Sequence, residues 1–303
     1  MFTVPAFAKI NLSLRVLGKR ADGLHEICTT FQTISLCDYL TFELSNEISL
    51  ASDSKTVPTD ERNLIIVAAN QLRQRLSISH GVKIRLQKQI PSPGGLGGGS
   101  SDAAITLLAL TSLWKIKTSL ESLREIARTI GADVSFFLTG GTAFATGVGN
   151  EIENLPDLPE KLLLVVTPNE QVSTAEAYQS LGAPRLTEAD SLDILAICHS
   201  ARITFESASA DLQNDFENTI FAGRPEIERV KQTLLALGSS HALMSGSGAS
   251  VFGIFDNEMM RQTAFARLRE SEKDWRVFSC ETVSQSEYKA ALSPCWNFAD
   301  HLL

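Results

Sequence analysis

Cysteine is sparse in this chain, and no two cysteines form the CxxC pairs of zinc sites and redox motifs. The five cysteines are odd in number and scattered, at Cys28, Cys37, Cys198, Cys280 and Cys295. Such a set predicts free thiols in a reducing cytosol rather than a disulfide framework. We therefore expect no zinc site and a cytoplasmic protein.

Long apolar runs are also missing. The most apolar stretches, residues 105–110 and 162–166, have the length of core elements and fall well short of a membrane span. The N-terminal segment carries Lys9 and Arg15 among its apolar residues and has no cleavage signal of a secretory leader. We expect no membrane partner.

Basic charge is limited as well. Lysine and arginine number 27 against 35 aspartates and glutamates, which gives a net charge of −8 and a pI near 5.2. No basic stripe that could neutralise a phosphate backbone is evident, so we expect no nucleic-acid partner. Small anionic ligands stay possible, because backbone N–H groups and one or two lysines can hold them locally.

The predicted elements mix strands and helices without the regular alternation of a doubly wound sheet, which indicates an α+β fold. At 303 residues the chain is long enough for two domains. The proline-containing stretch 151–160 predicts a boundary, with an N-terminal domain of residues 1–155 and a C-terminal domain of residues 156–303. Strands are predicted at 4–17, 26–34, 39–44, 82–87, 142–146 and 162–167, helices at 64–76, 102–114, 119–130, 188–201 and 227–237, an extended segment from residue 131, and a strand–turn–strand unit at 241–255.

A glycine-rich loop, PSPGGLGGGSSDAA at residues 91–104, carries the clearest functional signal. Its glycines allow positive φ and close backbone approach, and the helix that follows adds unpaired N–H groups and the positive end of its dipole. The loop predicts a phosphate cradle, because a flexible linker does not usually run into a capped apolar helix. It lacks the Gly-Lys-Ser/Thr ending of a P-loop and the βαβ setting of a dinucleotide fingerprint. The predicted nucleotide-binding residues of the loop are Pro91, Ser92, Pro93, Gly94, Gly95, Leu96, Gly97, Gly98, Gly99, Ser100 and Ser101.

Three segments together resemble the motifs of the GHMP small-molecule kinases. They are PAFAKINLSLRVLGKRADGLHEI near the N-terminus, the glycine-rich loop, and MSGSGAS at residues 244–250. Within that superfamily, AKINLSL followed by DGLHEI, together with GADVSFF and VSTAEAY, is similar to the 4-diphosphocytidyl-2-C-methyl-D-erythritol kinases. The resemblance spans most of the chain. It implies a two-domain fold in which an ATP-binding domain and a substrate domain meet at a cleft that holds the active site.

The resemblance implies a kinase that moves the γ-phosphoryl group of ATP to the 2-hydroxyl of a cytidyl-linked erythritol, in the non-mevalonate isoprenoid pathway, with Mg²⁺ as cofactor. The catalytic residues of the family fall on Lys9 and Asp133. Asp133 is expected to accept the hydroxyl proton, while Lys9 keeps that carboxylate ionised and steadies the developing alkoxide. Taken without the resemblance, Lys9 is better explained as a solvated lysine on a strand face, and Asp133 as a cap or turn residue after Gly131.

Further nucleotide contacts follow from the same pattern. The loop is expected to hold the ATP phosphates, with Ser100 or Ser101 reaching a phosphate or Mg²⁺. Asn63 and Lys88 match family positions near the adenine, with a helix cap and a surface lysine as the alternatives. The sequence identifies no carboxylate ligand for the metal, since Asp102 is equally well explained as a helix-start residue stabilised by the dipole.

Substrate contacts are carried over from the family in the same way. Asn11 and His25 match residues that hydrogen-bond the substrate, with a turn histidine as the alternative for His25. Tyr178 matches an aromatic ring that stacks on cytosine, with a packing or rim residue as the alternative.

GSG on its own is a common strand connection. The resemblance nevertheless implies a second tight turn beside the phosphates and the substrate, made of Gly246, Ser247 and Gly248.

Two positions depart from the family pattern. Leu24 stands where the family usually has tyrosine, so one wall of the cytosine site is predicted to be aliphatic. Pro93 stands where the loop usually has glycine, which removes one N–H donor and fixes φ. These departures affect details of binding and leave the predicted reaction type unchanged.

Two other functions are compatible with the motifs. One is a GHMP kinase for homoserine or a mevalonate-type alcohol, which is not expected to carry DGLHEI together with VSTAEAY. The other is a catalytically silent ATP-binding regulator, which is expected to have lost Lys9, Asp133 or the glycine loop. The sequence leaves the oligomeric state open.

Overall fold

Two long antiparallel strands form the centre of the fold. The computed structural model describes residues 1–186, 196–198, 201–202 and 212–296. Strand β1 (Phe2–Lys19) pairs with strand β2 (His25–Ser45) from one end of β1 to the other. The pairing shifts register between Phe7 and Ala8, and this shift leaves residues 35 and 36 of β2 without partners on β1. The strands predicted at 26–34 and 39–44 are therefore a single strand, and the predicted gap marks the irregularity.

Both faces of β1 are buried over its middle part. Ile10 and Leu12 on one face belong to the core, as their spacing predicts. Asn11 and Ser13 on the other face are also buried, at 1% exposure each, although polar residues on alternate positions suggest a face open to solvent. Their burial costs little free energy because both side chains are hydrogen-bonded inside the protein.

Among the described residues, the first sheet contains seven strands and is covered by three helices. Besides β1 and β2, its strands are β3 (Ile48–Ser52), β4 (Gly81–Gln87), β5 (Thr142–Thr146), β6 (Glu151–Asn154) and β8 (Gln213–Asn214). Their order is β3-β4-β2-β1-β8, with β5 on a second stretch of β2 and β6 on β5. The helices are α1 (Leu64–Arg75), α2 (Gly98–Leu113) and α3 (Leu120–Ile130). Their apolar faces form the largest core cluster with β1, β2 and β4.

Helix caps explain where two of these helices begin. The Asn63 side chain accepts from the N–H of Ile65, and the Ser119 side chain accepts from that of Ser122. Helix α2 differs from the prediction, because it begins at Gly98 rather than at residue 102. Glycine has a low helix propensity, so the sequence pattern does not predict this first turn. The turn directly follows Gly97, which has a left-handed conformation.

The second sheet has four antiparallel strands in the order β11-β7-β10-β9. These strands are β7 (Leu162–Thr167), β9 (His241–Met244), β10 (Val251–Phe255) and β11 (Arg276–Glu281). The accompanying helices are α4 (Thr174–Ser180), α5 (Glu217–Gly223), α6 (Pro225–Ala236), α7 (Glu258–Ser271) and α8 (Gln285–Ala291). The predictions for 162–167, 227–237 and 241–255 are confirmed, while most of the predicted helix 188–201 lies outside the described residues. A shared apolar cluster, including Ile10 and Val165, packs this sheet against β1.

The structure of the segment after α3 differs from the prediction. Residues from 131 onward are predicted to be extended, but Ala132–Leu138 forms a 3₁₀ helix, called here the 3₁₀ segment. The N–H of Val134 bonds back to the carbonyl of Gly131, and Phe136 and Phe137 are fully buried in the first core. Burial of a continuous apolar run is compatible with a helix as well as a strand, so the sequence pattern does not separate the two.

The chain returns to the first sheet after residue 160. Strand β8 pairs with β1, and Tyr288 of α8 packs on Phe7 of the first sheet. The predicted domain boundary between residues 155 and 156 stays a prediction. Elements that follow this boundary, such as β8 and α8, pack against the first sheet. In the part of the chain that the structure describes, no helix is long and apolar enough to cross a membrane.

Candidate active site

A cleft of about 1070 Å³ lies between the two sheets. Its walls come from β1, from the glycine-rich loop, from the start of the 3₁₀ segment, from α4 and from the turn between β9 and β10. The predicted site residues on its surface are Lys9, Asn11, His25, the ten loop residues from Pro91 to Ser100, Asp133, Tyr178, Gly246, Ser247 and Gly248. Segments distant in sequence therefore meet in one cavity, as the resemblance implies.

Lys9 lies at the inner end of the cleft and is 3% exposed. Its Nζ donates to Oδ1 of Asn11 at 2.6 Å and lies 3.5 Å from Oδ2 of Asp133. The ammonium group also lies 5.1 Å from the centre of the Phe31 ring. A buried ammonium held by three neighbours is well ordered, and it can stabilise negative charge that develops beside it.

Asp133 stands in the first turn of the 3₁₀ segment, where the chain turns out of α3. Its side chain is 32% exposed, in contrast to the buried side chain of Lys9. The carboxylate can therefore reach a ligand in the cleft while its Oδ2 keeps contact with the ammonium. An ionised carboxylate in this position can accept a proton from a hydroxyl group.

The glycine-rich loop is held tightly against the strand and the second turn. The carbonyl of Leu96 accepts from the N–H of Lys9 at 3.0 Å, and the Ser245 hydroxyl donates to the carbonyl of Gly95 at 3.0 Å. Gly95 and Gly97 have positive φ, of +72° and +69°. A β-carbon on Gly95 would lie 2.0 Å from the carbonyl oxygen of Ser245, so only glycine allows this approach.

The start of α2 gives the loop the chemistry of an anion site. The first N–H groups of the helix follow directly on the loop and have no helical partner of their own. Ser100 lines the cleft, whereas Ser101 is fully buried behind it. The Ser101 hydroxyl has no hydrogen-bond partner among the described residues. These features are suited to binding phosphate groups and to a cation held by serine hydroxyls. The described parts of the chain contain no group of three acidic, histidine or cysteine side chains that could hold a metal ion.

Asn63 and Lys88 are not brought into the cleft lining. The Asn63 amide caps α1 and donates to the carbonyl of Pro58, so its polar atoms are used locally. Lys88 is no surface lysine, because its side chain is 8% exposed and its Nζ contacts Asp38 at 2.5 Å and Asp102 at 2.8 Å. The adenine contacts assigned to Asn63 and Lys88 stay predictions.

The buried ion triad of Asp38, Lys88 and Asp102 lies directly beneath the loop. Asp38 also accepts the N–H groups of Gln89 and Ile90, the residues that lead into the loop. Burial raises the pKa of Asp102 to about 7, against the opposing effect of the Lys88 ammonium. Asp102 is buried and hydrogen-bonded to Lys88, so it anchors α2 from inside the protein and is not a dipole-stabilised residue at the surface.

Two of the substrate residues carried over from the family, His25 and Tyr178, lie together at one end of the cleft, whereas Asn11 lies beside Lys9. The rings of His25 and Tyr178 are stacked, with centroids 4.7 Å apart and planes inclined by 21°. Burial, and to a smaller extent the Lys19 ammonium, lowers the pKa of His25, so its ring is neutral at pH 7. Burial, with the Asp133 carboxylate adding to it, raises the pKa of Tyr178 to about 12. Leu24 lines the same end and is 54% exposed.

Sequence reasoning missed several residues that shape this site. Phe216 lines the cleft and meets the Tyr178 ring edge-on at 4.9 Å, so the site has an aromatic side chain that the family pattern did not indicate. Asn214 donates to the carbonyls of Met244 and Gly246 and so fixes the second turn. Neither residue stands in a recognisable motif, because both act through contacts between distant segments.

Two family descriptions match the chain, "GHMP kinases N terminal domain" at residues 63–141 and "GHMP kinases C terminal" at residues 196–274. A 4-diphosphocytidyl-2-C-methyl-D-erythritol kinase of Bacillus cytotoxicus is 41% identical over 257 residues, which cover 84% of this chain and 88% of the relative. The enzyme of the same name from Prosthecochloris aestuarii is 40% identical over 269 residues, covering 88% of this chain and 93% of the relative.

Solved structures of GHMP-type kinases also match the chain. The crystal structure of a 4-(cytidine 5'-diphospho)-2C-methyl-D-erythritol kinase matches with a TM-score of 0.74 and 34% identity, covering 93% of this chain and 99% of that one. A homoserine kinase from Cytophaga hutchinsonii matches with a TM-score of 0.70 at 17% identity, covering 93% of this chain and 95% of that one, which shows the shared fold alone.

Proposed function

The chain belongs to the GHMP kinases and, within them, to the 4-diphosphocytidyl-2-C-methyl-D-erythritol kinases, and we propose that Lys9 and Asp133 carry out that family's phosphoryl transfer in the cleft. The enzyme moves the γ-phosphoryl group of ATP to the 2-hydroxyl of 4-diphosphocytidyl-2-C-methyl-D-erythritol, a step of isoprenoid precursor synthesis. The observation that carries the catalytic assignment is the 3.5 Å contact between Lys9 Nζ and Asp133 Oδ2, beside a glycine cradle.

Asp133 is the base in this proposal. Its partly exposed carboxylate accepts the proton of the 2-hydroxyl as that oxygen attacks the γ-phosphorus. Lys9, fixed by Asn11, balances the charge of the carboxylate before transfer and that of the alkoxide during transfer. Phosphoryl transfer needs alignment of the hydroxyl with phosphorus, and the proposed binding of both ligands in one cleft, next to the Lys9–Asp133 pair, supplies it.

ATP lies along the glycine-rich loop in this proposal. The backbone N–H groups of the loop and of the first turn of α2 face its phosphates, which suits a chain that has few cations in the cleft. Bound Mg²⁺ would neutralise phosphate charge, and the hydroxyl of Ser100 or Ser101 is the side-chain group that would hold it. Ser100 lines the cleft, and the buried Ser101 hydroxyl has no hydrogen-bond partner among the described residues.

The cytidyl group occupies the end of the cleft that contains His25 and Tyr178. The Tyr178 ring provides a face for stacking on cytosine, and the neutral His25 ring offers a hydrogen-bond donor and an acceptor. Leu24 gives this end an aliphatic wall, and Phe216 supports Tyr178 from its edge. Gly246, Ser247 and Gly248 close the cleft between the two ligands.

The proposed organisation assigns ATP binding to residues 1–155 and substrate binding to residues 156–303. His25 and Asn11 contribute to the substrate end from the first of these domains, so the two ligands meet across the boundary. We propose a cytoplasmic enzyme whose ligands are small molecules, consistent with five free cysteines and a net charge of −8.

Substrate-dependent release of ADP tests the proposal. The purified protein is given ATP and Mg²⁺ with 4-diphosphocytidyl-2-C-methyl-D-erythritol, homoserine or mevalonate in separate reactions. We expect rapid ADP release with the cytidyl substrate and none above background with the other two. Preference for homoserine or mevalonate would reassign the enzyme within the GHMP kinases, and binding of ATP without turnover of any alcohol would indicate a regulator.

A further inference from the structure

The amide of Asn11 is held from two sides in the buried interior of the first sheet. Its Oδ1 accepts from Lys9 Nζ at 2.6 Å, and its Nδ2 donates to Oγ1 of Thr29 at 2.7 Å. Thr29 lies on β2, is fully buried, and donates its own hydroxyl proton to the carbonyl of Ser13 at 2.5 Å. The ammonium of Lys9 is thus the end of a chain of hydrogen bonds that starts at the backbone of β1.

The direction of these bonds is determined by the donors available. A carbonyl oxygen only accepts, so the Thr29 hydroxyl must give its single proton to Ser13 and can offer only lone pairs to Asn11. The Asn11 amide must therefore turn its NH₂ group toward Thr29 and its oxygen toward Lys9. A flipped amide would aim NH₂ at the ammonium, leaving the Lys9 group with a donor where it needs an acceptor.

We propose that Thr29 is a positioning residue for phosphoryl transfer, which fixes the Asn11 amide so that its oxygen holds the Lys9 ammonium beside Asp133. This inference rests on the proposed role of Lys9. It differs from the family assignment of Asn11, because Asn11 here orients a catalytic group as well as lining the substrate site. Thr29 itself does not line the cleft and acts only through Asn11.

The same strand provides a matched control residue. Thr33 is also fully buried on β2 and stands opposite Lys9 in the strand register. Its hydroxyl has no hydrogen-bond partner among the described residues, so replacing it by valine removes no bond described there. Thr29→Val and Thr33→Val are therefore the same isosteric change at two buried positions of one strand, and only Thr29 is linked to Lys9 by side-chain hydrogen bonds.

The test compares the chemical step in these variants at saturating ATP and cytidyl substrate. In Thr29→Val we expect kcat to fall at least 10-fold while the KM for ATP stays within 2-fold, because the loop is untouched. Thr29→Ser keeps the hydroxyl and should retain at least a third of wild-type kcat, and Thr33→Val should retain wild-type kcat. Melting temperatures identify folded protein, and Thr29→Ala serves as a second hydroxyl-free variant if Thr29→Val does not fold.

A double-mutant cycle separates positioning from a general structural effect. In an Asn11→Ala background, Thr29→Val should lower kcat by less than 2-fold, because Thr29 has no amide left to orient. An equal loss in both backgrounds, a similar loss in Thr33→Val, or unchanged kcat in folded Thr29→Val would overturn the inference. Failure of the proposed function is distinguishable, because wild type and Thr33→Val would then also lack activity with the cytidyl substrate.

Discussion

Lys9 Nζ and Asp133 Oδ2 lie 3.5 Å apart in the cleft, one on β1 and the other at the start of the 3₁₀ segment. The Lys9 side chain is 4% exposed and that of Asp133 is 32% exposed, so the pair is buried on one side and open to a ligand on the other. The carboxylate can then exchange a proton with a bound hydroxyl while it remains paired.

Gly97 tests the glycine cradle. Alanine there would adopt a left-handed φ of +69°, which costs about 1–2 kcal/mol for residues with a β-carbon. Its β-carbon would also lie 2.8 Å from the Phe137 ring, so the loop or the ring must shift. We expect Gly97→Ala to raise the Kd for ATP about 10-fold, measured by calorimetric titration.

Gly99 is the matched control for the loop. A β-carbon there meets no heavy atom closer than 3.9 Å, and the residue already lies in α2. Gly99→Ala should therefore keep the Kd for ATP within about 2-fold of wild type. Equal ATP affinity of folded Gly97→Ala and wild type would show that the phosphates bind elsewhere.

Tyr178 tests the cytidyl end of the cleft. Loss of an aromatic face that stacks on a base typically costs about 1–3 kcal/mol, which corresponds to about 5- to 150-fold in affinity. We expect Tyr178→Ala to weaken the cytidyl substrate within this range, with the KM for ATP unchanged. Tyr178→Phe keeps the ring and should bind the substrate nearly as wild type does; an unchanged substrate Kd in Tyr178→Ala would remove Tyr178 from the site.

Asp102 gives the protein a pH-dependent stability. Its pKa is raised from 3.8 to about 7 by burial, so between about pH 4 and pH 7 the folded state retains a proton that the unfolded state has already released. Ionisation of Asp102 therefore lowers the free energy of unfolding as the pH rises through that window. Asp102→Asn keeps a group that can accept from Lys88 and removes the titration. We expect its stability relative to wild type to rise by about 1–3 kcal/mol between pH 5 and pH 8.

Urea unfolding of both proteins at the two pH values measures this change. Asp60→Asn is the control, because Arg62 lowers the pKa of the exposed Asp60 carboxyl to about 2, below the window. Its stability relative to wild type should be the same at pH 5 and pH 8. A pH-independent difference for Asp102→Asn as well would mean that the Asp102 carboxyl is ionised throughout this range.

The parts of the fold that local pattern determines could be predicted from the sequence. Strands β5 and β7 have the predicted bounds, because apolar residues that alternate or run between turn residues give a direct signal. The start of α2 could not be predicted, since its first residues are the glycines of the loop. The 3₁₀ segment was predicted wrongly, because Phe136 and Phe137 face a core that forms only in the tertiary structure.

The site residues likewise divide into those that stand in a sequence motif and those that do not. The motifs indicated Lys9, Asp133, the loop and Tyr178, and the structure brings all of them to one cleft. Partners that come from distant segments carried no local signal. Asp38, which binds Lys88, is one such residue, and Phe216 beside Tyr178 is another. Prediction of these contacts requires the strand register and the packing of the two sheets.

Phosphoryl transfer by the Lys9–Asp133 pair is tested most directly by single-turnover kinetics of Asp133→Asn with saturating ATP and 4-diphosphocytidyl-2-C-methyl-D-erythritol. Asparagine keeps the size of the side chain but cannot take up the proton of the hydroxyl. The rate of the chemical step should fall by about 10²–10⁴, with the Kd for ATP nearly unchanged. A folded Asp133→Asn enzyme that retains more than half of the wild-type rate would contradict the assignment of Asp133 as the base.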